Sequence, residues 1–231
     1  MYLTKLDVSG DFDLNLPRNE VDLLALAESY VVYEATLSPD EVLHDISCAD
    51  IQAALSRAQT AQAAQRASET DRAIAAAQLQ IAYRHVRPLL DRVILHLKSR
   101  HVDNLADLEQ WGLKTKVGPH GPIVLKPVNP LDWLDFLNAF VAQESGRLPA
   151  DQISDPSLSE LAEWAEKANR SRQERDAARI QREINTAARH AAVHQLRQLL
   201  LVAASIRIVK QYQGCVSVEL GKWGYPVMAR K

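Results

Sequence analysis

No glycine or proline interrupts the chain from Asp40 to Arg87, and none from Ser157 to Gln213. Tight turns draw on those two residues, so stretches of this length point to helix. An uninterrupted helix of about 50 residues would run roughly 75 Å at 1.5 Å per residue. That exceeds the ordinary globular helix and leaves room for a hidden break, with His44-Asp45-Ile46-Ser47 as one candidate. Ser38-Pro39-Asp40-Glu41 reads as a capping box opening the first long helix, and Ser157-Leu158-Ser159-Glu160 repeats the cap in the second. Pro88 is expected to kink the first helix without ending it.

The two stretches belong to an internal repeat. A shift of 110 carries Pro17, Asn19, Asp22, Leu24, Val31, Glu34 and Pro39 onto Pro127, Asn129, Asp132, Leu134, Val141, Glu144 and Pro149. A shift of 112 carries Leu108, Trp111 and Gly112 onto Leu220, Trp223 and Gly224, so two residues are inserted between the regions. The period is that of a small domain, not of a short solenoid repeat.

Each unit reads in the same order. LTKLDVSGDFDLNLP (3–17) alternates apolar and polar residues about Ser9-Gly10, and GLKTKVGPHGPIVLKP (112–127) does so about Gly118-Pro119-His120-Gly121-Pro122; both predict β-hairpins. A short helix follows, with Asn19 or Asn129 as N-cap and Pro130 in the first turn of the second. The long helix then needs a partner. Leu79, Ala82, Val86, Leu89, Val93 and Leu97 form a seam at helical spacing, as do Ala188, Ala191, Ala192, Gln195, Leu199, Val202, Ile206 and Val209. Packing the two long helices together, with the short helices closing part of a bundle, is the simplest solution. The chain ends on Trp223-Gly224-Tyr225-Pro226-Val227, which matches only the opening strand of a third hairpin. That strand pairs either with the N-terminal hairpin of its own chain or with a neighbouring subunit.

Net charge is −2 over 231 residues, which gives no global electrostatic case for nucleic acid or an anionic membrane. It conceals a polarity. Residues 1–55 carry eleven acids and two bases, Lys5 and Arg18, whereas Arg84, Arg87, Arg92, Lys98 and Arg100 oppose Asp91 alone near the end of the first long helix. The second unit repeats the pattern, in line with helix-dipole preferences and with a role in setting the packing register of units or subunits. The most apolar window, 196–209, is short and contains Arg197 and Arg207, so it reads as a buried core helix. No secretory signal is recognisable at the N-terminus.

Chemistry is sparsely signalled. His190 and His194 lie four apart, a spacing that can grip a metal, but no Glu-x-x-His motif accompanies them. The Gly118–Pro122 turn lacks a phosphate-binding pattern, and neither Cys48 nor Cys215 has a nucleophile constellation around it. Trp111 and Trp223 stand at equivalent places before glycine and are expected to anchor each hairpin on its helix. Trp133 and Trp164 have no such duplicate and are expected on a surface or interface.

The order Trp-Gly, extended segment, proline, short helix and long Ala/Arg/Glu-rich helix recurs in an uncharacterised set of bacterial helical-repeat proteins. Ser-Arg-Gln-Glu-Arg-Asp-Ala-Ala (171–178), Leu-Glu-Gln-Trp-Gly (108–112) and Leu-Gly-Lys-Trp-Gly (220–224) carry the match, and by them the chain resembles that set over most of its length. In that set the helical part often precedes fibronectin-like domains; none is read in this sequence. The resemblance implies a helical repeat fold and brings no activity and no functional residues.

The expected fold is mainly α. It is a tandem duplication, 1–112 and 113–231, of a unit made of a short β-hairpin, a short helix and a long helix, packed as an elongated helical bundle. The expected function is that of a non-catalytic structural or assembly protein, self-associating into an oligomer or filament through helical faces and terminal β-segments. A helical adaptor binding another protein, or a metal-binding helical bundle, are the alternatives. Trp133, Trp164, Trp223, Tyr225 and Val227 are the interface candidates. No catalytic residue, metal ligand or cofactor is assigned; the expected partner is the chain itself or another protein, not nucleic acid or a membrane. A cytoplasmic location is the default expectation, with non-classical export left open.

Overall fold

The fold is taken from a computed structural model, which describes residues 5–6, 12–102, 104–118 and 121–229. They are mainly helical, with few short strands. In chain order the elements are β1 (Lys5–Leu6), β2 (Phe12–Asn15), α1 (Glu20–Glu34), α2 (Cys48–Arg100), β3 (Lys114–Gly118), β4 (Gly121–Leu125), α3 (Pro130–Ser145), α4 (Leu158–Gln211) and β5 (Val227–Ala229). Short 3-10 turns, Leu105–Trp111 and Val218–Trp223, precede β3 and β5. The Ser9-Gly10 and Pro119-His120 turns lie outside the described residues.

Local chemistry places the helix ends. The Asn19 side chain accepts the Val21 N–H at 2.9 Å, and Asn129 accepts those of Leu131 and Asp132 at 3.0 Å, so each short helix starts on the expected cap. α4 likewise starts after Ser157, whose hydroxyl accepts the Glu160 N–H at 3.2 Å. α2 corrects the expected start. The Ser38 N–H and hydroxyl do bond the Glu41 carboxylate, but no helix follows; α2 opens ten residues later, on a second box in which Ser47 and Asp50 bond reciprocally. The intervening segment is held out of helix because Leu43 and Ile46 are buried in the core. The suggested break at 44–47 is thus where the helix begins. From there α2 continues through Pro88 to Arg100.

Two compact units divide the chain elsewhere than at residue 112: unit 1 is Met1–Ser68 with Arg182–Lys231, and unit 2 is Glu69–Gln181. Each long helix contributes one part to each unit.

In unit 1, β2 lies between β1 and β5 in an antiparallel sheet, with Leu14 facing both Leu6 and Val227. The C-terminal strand therefore pairs within its own chain. Leu14, Leu16 and Tyr30 share a buried cluster with Ile51, Leu55, Leu196, Leu200 and Trp223. Hydrogen bonds from Arg57 to Gln195 and from Asn185 to the Ala64 carbonyl tie α2 to α4.

In unit 2, β3 and β4 form a two-stranded ribbon, with Thr115 opposite Val124. Its core gathers Val86, Leu90, Ile94 and Leu97 of α2 around Trp133, Phe136 and Phe140 of α3.

The expected seam on α2 is buried at every position from Leu79 to Leu97. The expected seam on α4 is packed only in part: Ala192, Leu199 and Ile206 are half-buried against the unit 1 core, Ala188, Ala191, Gln195, Val202 and Val209 are exposed, and the fully buried stripe is Leu196, Leu200, Ala203, Ala204, Arg207 and Ile208. The buried stripe runs beside the expected seam, and the arginine within it hides its centre from a reading by apolar periodicity.

Candidate functional site

The most elaborate polar arrangement lies in the core of unit 1. Glu34, at the last turn of α1, is buried, and its carboxylate accepts three donors: the Leu43 N–H at 3.3 Å, Trp223 Nε1 at 2.7 Å and the guanidinium of Arg207. Arg207 is fully buried as well. It also donates to Gln211 at 3.1 Å and lies 4.1 Å from the centre of the Trp223 ring. A buried charge must be paired and hydrogen-bonded to be tolerated, and here both ions are. Tyr225 donates its hydroxyl to the Leu200 carbonyl at 2.7 Å and packs edge-on against Tyr30.

These surroundings suppress phenol ionisation. Burial, reinforced by the Glu34 charge and opposed by Arg207, pushes Tyr30 up to about 12. Burial raises Tyr225 well above the ordinary phenol value. The half-buried Cys48 thiol is raised by burial and then by Glu34, which disfavours the reactive thiolate. With donors on both carboxylate oxygens, Glu34 ties together α1, the segment after it, α4 and the turn before β5. Its geometry is that of a clasp, not of an exposed acid or base.

Unit 2 has a buried glutamate at the corresponding place, Glu144, which accepts the Ile153 N–H as Glu34 accepts that of Leu43, in each case nine residues onward. Its cation is Arg147, one turn further on, at 3.2 Å with about a third of its side chain exposed. Where the 110 and 112 shifts would place Tyr30, Arg207 and Tyr225, unit 2 buries Phe140, Leu97 and Leu113.

The Trp-Gly pairs take one geometry. Gly112 and Gly224 have φ of 85° and 83°, and a Cβ on them would stand 2.6 Å from Ala139 Cβ and 2.7 Å from Ser29 Cβ. Positive φ and close approach to the short helix both select glycine here. Trp111 and Trp223 are buried beside them.

The interface candidates separate into two groups. Trp133, expected on a surface or interface, is 3% exposed because it fills the α2–α3 core of unit 2; this corrects the expectation. Trp223 and Tyr225 are buried in unit 1 and Val227 is half-buried in its sheet, so none of the three presents an open face. Trp164 alone is half-exposed without a strand beside it; His85 stacks on it at 4.9 Å and Lys167 Nζ lies 4.8 Å from its ring. His190 and His194 are exposed on α4, and among the described residues no group of three metal-ligating side chains forms.

Two exposed apolar surfaces were not foreseen as such. One is the α4 face of unit 1, where Ile184, Val202 and Val209 are 55%, 44% and 69% exposed. The other is the β3–β4 ribbon of unit 2, where Val117, Ile123 and Leu125 are exposed beside Val128. By length and composition α4 also meets the requirement of a membrane-crossing helix; its most apolar part buries Leu196, Leu200 and Ile208 in unit 1. No family model matches the chain, and neither a curated protein nor a solved structure does.

Proposed function

We propose that this protein is a non-catalytic structural element that associates with further copies of itself, built by duplication of one hairpin–short helix–long helix unit. The duplication is supported by the paired N-caps Asn19 and Asn129, the paired buried acids Glu34 and Glu144, and the paired glycines Gly112 and Gly224.

One observation carries the self-association reading. On α4, Ala188, Ala191, Val202 and Val209 of the expected seam face solvent in unit 1 together with Ile184, while Ala192, Leu199 and Ile206 lean on the core. An exposed apolar strip along a helix suits a second helix. The polarity of charge, acidic at the heads and basic at the helix ends, would set the register. A helical adaptor is the second reading, favoured by Trp164 with His85 and Lys167 against it, since a half-exposed tryptophan beside a cation suits a protein interface.

Light scattering over a concentration series at low salt tests the first reading. The full chain is expected to form discrete oligomers or longer assemblies, and Val202→Glu with Val209→Glu to shift it toward monomer. A strict monomer at high concentration sinks the proposal.

A further inference from the structure

The two sheets share one register. In unit 1, Phe12, Asp13 and Leu14 of β2 face Ala229, Met228 and Val227 of β5. In unit 2, Pro122, Ile123 and Val124 of β4 face Val117, Lys116 and Thr115 of β3. Adding 110 to the β2 numbers and subtracting 112 from the β5 numbers converts one set of pairs into the other without a slip. The sheets differ on one side only. Beyond β2, unit 1 adds β1, with Lys5 opposite Asn15 and Leu6 opposite Leu14. Beyond β4, no strand stands among the described residues. Along the corresponding stretch, Val124 and Leu125, β4 has β3 as its one partner strand among the described residues, and a strand edge without a partner is a template for another strand.

The side chains change with the edge. Asp13 and Asn15 suit the outer face of the unit 1 sheet, whereas the matching residues of β4 are Ile123 and Leu125, 52% and 44% exposed. An open edge and an apolar face therefore coincide in unit 2, and both are absent where β1 sits in unit 1.

We propose that the free edge of β4 receives the outer edge of β1 from a second copy of this chain, joining the two sheets into one of five strands in the order β5-β2-β1-β4-β3. The proposal rests on the self-association reading and names the surface that performs it. β1 is the strand this chain itself lays on the equivalent edge, and its own far side carries no strand among the described residues. Backbone pairing would supply affinity, and Ile123 and Leu125 specificity. Because the surfaces differ, the contact is head-to-tail, which generates rings or open filaments.

Three full-length variants test this. Ile123→Asp with Leu125→Asn installs on β4 the residues that unit 1 carries on β2, so the fold has already accepted them in that setting; it should weaken association at least tenfold in sedimentation while far-ultraviolet dichroism stays unchanged. Leu6→Pro removes a backbone donor of β1 and should do the same. Mixing the two variants, each with one intact edge, should restore a complex of two chains that neither forms alone. A mixture that stays monomeric rules out β1 as the occupant. If the unaltered chain associates and neither variant weakens it, the edge proposal falls while self-association stands; Val202→Glu with Val209→Glu then identifies the helix face as the contact. An unaltered chain that is monomeric at every concentration removes both.

Discussion

Units 1 and 2 each bury a glutamate at the last turn of the short helix, and they neutralise it differently. Glu34 meets a fully buried arginine from a distant part of the chain, with Trp223 and two tyrosines around it. Glu144 meets a neighbouring arginine that reaches water, within an otherwise apolar core. The unit 1 solution links four segments through charge, and such a clasp is costly to half-dismantle because the remaining ion is stranded. The unit 2 solution is local and leaves its cation partly solvated. A buried acid at matching places therefore does not carry the same energetic role in both units.

The sharpest way to break this comparison is to remove each cation. Arg207→Leu should lower stability by about 3–5 kcal/mol in urea unfolding, whereas Arg147→Leu should cost less, about 1–3 kcal/mol, because the cation it removes is partly solvated although the Glu144 it leaves behind is buried. Leu37 stands where unit 2 has Arg147 under the 110 shift. Combining Arg207→Leu with Leu37→Arg transplants the unit 2 solution and should recover most of the loss; no recovery would show that the clasp acts through its geometry and not its charge. A smaller, equal effect is expected at the shared feature. Gly112→Ala and Gly224→Ala should each cost about 1–3 kcal/mol, from positive φ and a clash of the same severity. Unequal costs would mean that the turns are not equivalent.

The smallest effect separates the units by pH. Tyr30 stays protonated in the folded protein to about 12, while an unfolded phenol ionises near 10. The unfolded chain thus binds fewer protons between these values, so the Tyr30 contribution is complete below pH 10 and is lost as pH rises toward 12. Tyr30→Phe, which copies Phe140 of unit 2, should flatten that part of the alkaline fall in thermal melts.

Much of this was legible from residues alone, for identifiable reasons. The α2 seam could be read because every buried position from Leu79 to Leu97 is apolar, and the short helices because Asn19 and Asn129 cap them. The α4 seam is legible only in part, with Ala192, Leu199 and Ile206 on the core, because Arg207 sits in the buried stripe. A buried cation is visible only through its partner, and Glu34 lies 173 residues away. The start of α2 was misplaced because two boxes of the same type, at Ser38 and Ser47, compete, and the burial of Leu43 and Ile46 decides between them. The tryptophans show a limit of the same kind, since Trp133 has no duplicate and still belongs to a core. The ribbon surface needed the second sheet as a reference: Ile123 and Leu125 read as ordinary strand residues until Asp13 and Asn15 occupy the same register beside an added strand.

Unit 2 is one continuous run of chain, and unit 1 is assembled from the stretches before and after it. A ribosome would have joined every residue of unit 2 before it adds Arg182. The β2 strand, made before all of unit 2, would wait for β5, made after all of it, with Leu14 lacking its Val227 neighbour throughout. Translation thus imposes an order on folding, the inner unit before the outer. A nascent chain stalled before Val218 would hold a finished inner domain between two halves of an unfinished one.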